Sequence, residues 1–278
     1  MSMATSTALG SVATLWRYPV KSMQGEELKR TEITHRGLLG DRAYALIDSS
    51  DGKVASAKNP RKWPTLFDFH ATLLDAPQLD VEMSAVGITL PDGTTVVSGQ
   101  DRIDEILSRV LQRQVTLQTT PPPAIQAEEY WPDMDGLDHR DTVTDFDLPT
   151  GTFFDSATVH VLTTATLHRL RDLYPAGRWD VGRFRPNVVV NLAEDRHDFV
   201  ENGWVGRTVR LGATVRLQIT GPCPRCVMTT LAQPDLPKDS EILRTAAQYN
   251  QANVGVYASV VQGGTVRRGD AVRLEENR

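Results

Sequence analysis

Cysteine is nearly absent from the 278 residues: Cys223 and Cys226 are the only two, set in one Cys-Pro-Arg-Cys step. A secreted disulfide framework needs more cysteines, spread along the chain. Two thiols also fall short of the four that an iron–sulfur cluster takes. Long hydrophobic runs are missing as well. The longest, Val254 to Val261, is far too short to cross a bilayer. Met1 to Gly10 holds no Lys or Arg, which argues against a secretory signal or transit peptide. Positive charge is not in excess: the net charge is -5, the wrong sign for a dedicated nucleic-acid binder. Internal repeats and glycine-rich phosphate loops of the Walker or Rossmann kind are also lacking. These absences predict a cytoplasmic protein with neither a membrane nor a nucleic acid as partner.

What is present describes a globular chain. Hydrophobic residues make up 40% and charged residues 23%, enough for a sizeable core in one large domain or two ordinary ones. Val12–Val20, Leu28–Thr34 and Ala43–Asp48 are rich in β-branched and aromatic residues and read as strands. Pro91-Asp92-Gly93, between two short apolar runs, marks a hairpin. Asp101 to Arg113 carries Ile103, Ile106, Leu107, Val110 and Leu111 on one stripe, so a helix is predicted with Asp101 as its N-cap. Val115–Gln118 is predicted as a strand.

Residues 121–152 change character, being rich in proline and acid, and are expected to form a linker or a long active-site loop. Asp133-x-Asp135-Gly136-x-Asp138 faintly suggests a calcium loop but has Thr144 where the bidentate glutamate belongs, so a solvated acidic loop is favoured. Beyond it, Thr158–Leu162, Phe184–Leu192, Arg207–Leu211, Val215–Thr220, Val254–Val261 and Ala271–Leu274 read as strands. Thr164–Tyr174 and Glu241–Asn250 read as helices. Many short strands with little βαβ alternation predict a β-dominated α/β protein built on an antiparallel barrel or sandwich.

Two constellations can carry chemistry. Structural zinc at Cys223 and Cys226 would need two more ligands. The histidines, at 35, 70, 139, 160, 168 and 197, offer no short His-x-His step, which weighs against zinc. A thioredoxin-type pair should open a helix, whereas Val227-Met228-Thr229-Thr230 reads as strand. One soft thiolate on a metal that brings its own further ligands, and a pair of small buried hydrophobes, both stay open from the residues alone. Arg225, between the two thiols, favours the thiolate. The second constellation is cationic: Lys21, Arg42, Arg183, Arg185 and Arg225 could line an anion pocket, and the Thr163-Thr164 step would add the donors of a helix N-terminus.

Leu15-Trp16-Arg17-Tyr18-Pro19-Val20-Lys21-Ser22-Met23 and Gly40-Asp41-Arg42-Ala43-Tyr44 resemble signatures of MOSC N-terminal β-barrel domains. Arg183-Phe184-Arg185-Pro186-Asn187-Val188-Val189-Val190 and Gly221-Pro222-Cys223-Pro224-Arg225-Cys226-Val227-Met228-Thr229-Thr230 resemble the core motifs of the MOSC domain, and Gly269-Asp270-Ala271-Val272 its closing strand. The motifs stand in family order and cover roughly residues 10 to 275. The resemblance implies a MOSC N-terminal β-barrel domain over 9–120, the acidic Pro-rich linker over 121–152 and a MOSC β-barrel domain over 153–276.

By the same resemblance the chain is similar to the amidoxime-reducing branch of the family. That implies a molybdenum cofactor (molybdenum on a molybdopterin) with Cys226 as metal ligand and catalytic residue. Lys21, Ser22, Arg42, Arg183, Arg185, Asn187, Pro224 and Arg225, with Thr163 and Thr164, would hold the pterin and its phosphate. The implied activity is two-electron reduction of N-hydroxylated small molecules such as amidoximes, hydroxylamines and N-hydroxylated bases. The alternative is a non-catalytic carrier of the cofactor or of sulfur. Leu231-Ala232-Gln233-Pro234-Asp235 replaces the Val-Asp-Pro-Asp that often follows in relatives. With no further cysteine before Arg278, electrons are expected from a separate donor protein of the ferredoxin, flavodoxin or cytochrome type.

Overall fold

A computed structural model describes residues 6–133 and 139–275. The Asp133–Asp138 calcium pattern therefore lies largely outside the described residues. The centre of the molecule is a closed barrel of seven strands. In order around the ring they are Val188–Leu192, Val159–Thr163, Asn253–Gln262, Val215–Pro224, Thr208–Leu211, Ala271–Glu275 and Ser6–Arg17. Ser6–Arg17 closes the ring by pairing Leu15 with Val188 and Val12 with Val190. The period-2 alternation that marked these segments as strands turns Val209 and Leu211, and Val215, Leu217 and Ile219, into one buried core.

All barrel pairings are antiparallel except one. Val159–Thr163 runs parallel to Val188–Leu192, and the helix Thr164–Leu173 makes the crossover that a parallel pair requires. The N-terminal half builds a second core from Val20, Met23, Leu46, Trp63 and Phe69, against which the helix Ile103–Leu111 packs Ile103, Ile106 and Leu107. Met228, from the far end of the chain, is buried in that same core. The two halves also exchange a strand: Gly264–Arg267 pairs with Arg30–Thr34.

The strands Val86–Thr89 and Thr95–Val97 pair across the predicted Pro91-Asp92-Gly93 turn, with Gly93 at φ +86°. Val115–Gln118 and Glu241–Asn250 form as predicted. Four local expectations are corrected. The Ile103–Leu111 helix is preceded by Arg102 in a left-handed conformation, and no side chain among the described residues caps its N-terminus. Phe184 belongs to a helical turn, Val181–Phe184, capped by Asp180 accepting from the Gly182 N–H at 2.8 Å, and the strand starts only at Val188.

Val227–Thr230 is a 3-10 turn, not a strand. Its two threonine hydroxyls donate back to carbonyls three residues earlier, Thr229 to Cys226 at 3.0 Å and Thr230 to Val227 at 2.8 Å. Such local bonds outweigh the β preference of the side chains. Finally, the acidic segment is not loop throughout, although most of its described residues are exposed or half-exposed. Gln126–Trp131 and Thr142–Asp147 pair as antiparallel strands. Its carboxylates face cations of the N-terminal half: Glu128 lies 3.2 Å from Lys53 and 3.4 Å from Lys62, and Glu129 lies 3.5 Å from Lys58. No helix among the described residues is long and apolar enough to cross a membrane.

Candidate functional site

Asp41 ties three distant segments together. Its carboxylate accepts from the Tyr18 N–H at 2.7 Å, from Nδ2 of Asn187 at 2.9 Å and from the guanidinium of Arg42. Backbone bonds then lock the strand-end loop: Arg42 N–H donates to Tyr18 O and Lys21 N–H to Tyr44 O, both at 2.9 Å. The result places Lys21, Ser22, Arg42, Arg185 and Asn187 along one wall of a cavity of about 400 Å³. Pro224, Arg225 and Cys226 line the same cavity, at the point where the long barrel strand gives way to the 3-10 turn.

The backbone at this wall is unusual. Ser22, Arg42 and Arg185 all adopt left-handed conformations, at φ 65°, 49° and 52°. Non-glycine residues sit there at a cost, and such positions concentrate at ligand sites. Tyr18, almost fully buried, lies between two guanidiniums, with Arg185 at 4.1 Å and Arg42 at 4.5 Å from the ring centroid. Burial pushes its phenol well above the usual range. Arg185 spends one N–H on Met23 O at 2.7 Å. Burial and the neighbouring Arg42 pull it down to about 10, so it stays a cation at neutral pH.

The cavity is lined by five cations (Lys21, Arg42, Lys58, Arg185, Arg225) and two carboxylates, Glu129 and Asp155. Lys21 donates to Phe153 O at 2.8 Å and to Asp155, and Lys58 stands 3.4 Å from Asp155. Burial would raise the Asp155 carboxyl, but the two ammonium groups outweigh it and hold it below its ordinary range. The excess of cations, and the Nε of Arg225 left without a partner among the described residues, fit an anionic group rich in acceptors.

The two cysteines are not equivalent. Cys223 is fully buried, and Cys226 is partly exposed at the cavity wall. Burial raises both thiols, but at Cys223 the Arg225 guanidinium, with His160 and Tyr257 beside it, outweighs burial and leaves the thiol lowered. At Cys226 burial prevails over Lys58 and Arg225, and the thiol is pushed up to about 11. Cys226 is thus the reachable sulfur, and a soft cation there would displace its proton.

Three predicted site residues do not line the cavity. Thr163 caps the Thr164–Leu173 helix through the Thr166 N–H, and both its N–H and its hydroxyl are taken by the buried Glu201, at 3.2 and 2.7 Å. Thr164 donates to Asn191 at 3.1 Å. Arg183 is buried and donates to the carbonyls of Arg178, Thr229, Leu231 and Pro237, which anchors the turn that carries Cys226.

Sequence reasoning missed Asp41, although its motif was recognised, together with Lys58, Asp155, His160 and Tyr257. Nothing in the spacing of the last four marks them. Gly255 beside this group has φ +81°, and a Cβ there would stand 2.3 Å from His160 Nε2, so the close passage of strand and ring needs glycine.

Known proteins resemble both halves of the chain. The family model for the MOSC domain matches residues 149–273, and that for the MOSC N-terminal beta barrel domain matches residues 9–114. The chain is 24% identical over 300 residues to mitochondrial amidoxime reducing component 2 of Rattus norvegicus, covering 95% of this chain and 83% of that protein. To the protein of the same name from Homo sapiens it is 23% identical over 299 residues, with the same coverage of 95% and 83%. Among solved structures it resembles the YuaD protein from Bacillus subtilis, with a TM-score of 0.48 and 12% identity over 99% of this chain and 100% of that one.

Proposed function

The chain belongs to the MOSC family, and from that premise we propose that it holds a pterin molybdenum cofactor in this cavity and reduces N-hydroxylated small molecules. One observation carries the reading: the only cavity-facing thiol, Cys226, shares its cavity with an array of cations on strained backbone. Arg42, Arg185 and Arg225, with Lys21, Ser22 and Asn187, would hold the anionic pterin, and Cys226 would ligate the metal. When bound, such a cofactor supplies a metal that exchanges an oxygen atom with substrate against two electrons.

The chain's own residues do the rest. Arg185 and Arg42, fixed by Tyr18 and Asp41, orient the anion at small entropic cost because their positions are set before binding. Trp131, Phe153 and Phe154 give the cavity an apolar side that limits water. The turn Val227–Thr230, clamped by Arg183, holds the Cys226 sulfur at the wall. Reduction of an N–OH group to N–H and water takes two electrons and two protons, and the electrons would come from a separate donor protein.

Protein made in a host that synthesises the cofactor is expected to contain molybdenum and pterin near one equivalent. It should also reduce benzamidoxime with an artificial electron donor. Absence of molybdenum would overturn the reading. Stoichiometric molybdenum with no turnover would leave the carrier role in its place.

A further inference from the structure

Outside this cavity the fold assembles a second set of ligating side chains. The parallel strands Val159–Thr163 and Val188–Leu192 lie side by side, so the chain leaves the barrel at the same end after each of them. The first strand leads into the helix Thr164–Leu173, which presents His168 and, one turn on, Asp172 from one face. The second leads into the segment that holds Asp195 and His197. The His168 and His197 rings approach to 4.9 Å between centroids. Nε2 of His197 lies 3.5 Å from a carboxylate oxygen of Asp195, and Nδ1 of His168 lies 4.0 Å from the same oxygen.

We propose that His168, Asp195 and His197 form a surface site for a borderline divalent transition cation, zinc(II) being the representative. One ligand atom from each of the three lies within 4.8 Å of the others. Tetrahedral zinc, with bonds of about 2.1 Å, separates its ligands by roughly 3.4 Å. The side chains are 39%, 86% and 45% exposed in chain order, so rotamer adjustment alone closes the remaining gap.

Asp172 supplies the support such a site needs. It accepts from Nδ1 of His197 at 2.5 Å, which orients the ring with Nε2 toward Asp195, where a bound metal would replace the Nε2 proton. Two imidazole nitrogens and one carboxylate select zinc-class ions over calcium or magnesium, which prefer all-oxygen shells. Solvent provides the fourth position. Bound metal would staple the helix to the segment after its neighbouring strand. The site uses neither cysteine and is independent of the molybdenum reading.

The test is calorimetric titration of zinc chloride into the chelator-stripped full chain at neutral pH. One micromolar or tighter equivalent is expected. It should weaken at least a hundredfold in His168→Ala and in His197→Ala, and about tenfold in Asp172→Asn. It should be unchanged in Cys226→Ser. Titrations of the two histidine variants that match wild type, or a wild-type dissociation constant in the millimolar range, overturn the site. If the histidine variants fail to fold, the visible spectrum of cobalt(II) on wild type decides. Nitrogen and oxygen ligation without thiolate charge transfer supports the proposal, and thiolate bands accounting for all the bound cobalt overturn it.

Discussion

The guanidinium of Arg225 donates a 2.8 Å hydrogen bond to the sulfur of Cys223, not to that of Cys226. The arginine between the two thiols therefore serves the buried one. It holds the wall of the cavity in place and leaves the second sulfur free to take a ligand. Cys226→Ser is expected to abolish both molybdenum content and benzamidoxime turnover while leaving the circular dichroism unchanged. Cys223→Ser keeps an acceptor for Arg225 and should retain the metal with a milder loss of rate. Equal, mild effects of the two would contradict the assignment.

Arg185 offers a way to separate folding from binding. Its backbone is left-handed, so Arg185→Gly removes the cation while relieving conformational strain. We expect the fold to be kept, the relieved strain offsetting part of the lost Met23 hydrogen bond, and pterin retention to fall by roughly 10- to 150-fold, the equivalent of about 1.5–3 kcal/mol for one charge-assisted contact. Full pterin occupancy in this variant would remove Arg185 from the site.

Asp48 contributes to acid stability. Burial alone would raise its carboxyl, but the Ser50 N–H at 2.9 Å, the Ser50 hydroxyl at 2.7 Å and Lys62 at 3.1 Å outweigh it and hold it at about 2. A depressed carboxylate stabilises the fold fully above its unfolded value near 3.8, and this is lost as pH falls toward 2. The Asp48→Asn variant should be less stable than wild type by about 2 kcal/mol at neutral pH. Denaturant titrations should show that gap closing as pH falls through this window.

Glu201 is the opposite case. It is fully buried, and burial raises its carboxyl despite the hydrogen bonds from Thr163 and Thr166. A raised carboxyl binds its proton more tightly in the folded state, so its contribution is complete below the unfolded value and lost as pH rises through the folded one. Glu201→Gln should therefore flatten the fall in stability as pH rises above the unfolded carboxylate value. Glu201→Ala should cost about 1–3 kcal/mol at every pH, because the Thr163 N–H loses its acceptor. Identical pH profiles for Gln and wild type would show that Glu201 does not titrate in this way.

The strands were legible because a barrel with one buried face writes its period-2 pattern into the chain: Val215, Leu217 and Ile219 are buried, with polar positions between them. The ordered motifs likewise placed Lys21, Arg42, Arg185 and Cys226, which the fold gathers around one cavity. Short-range chemistry was less legible. The turn after Cys226 arises from threonine hydroxyls bonding to their own backbone, which a β-rich composition conceals. The acidic segment looked solvated because its partners, Lys53, Lys58 and Lys62, lie about seventy residues away in the chain.

The amino-acid order by itself determined which segments extend, where the single thiol pair falls, and that no second pair exists to close a zinc site on it. Only tertiary structure decided which thiol Arg225 faces, that Asp41 joins the Tyr18 loop to Asn187, and that His168 meets His197. The physical reason is the same in each case. Backbone preference and burial pattern act over a few neighbours. Charge pairing and ligand geometry depend on distances through space, and these exist only once the parallel strands and the closing first strand have set them.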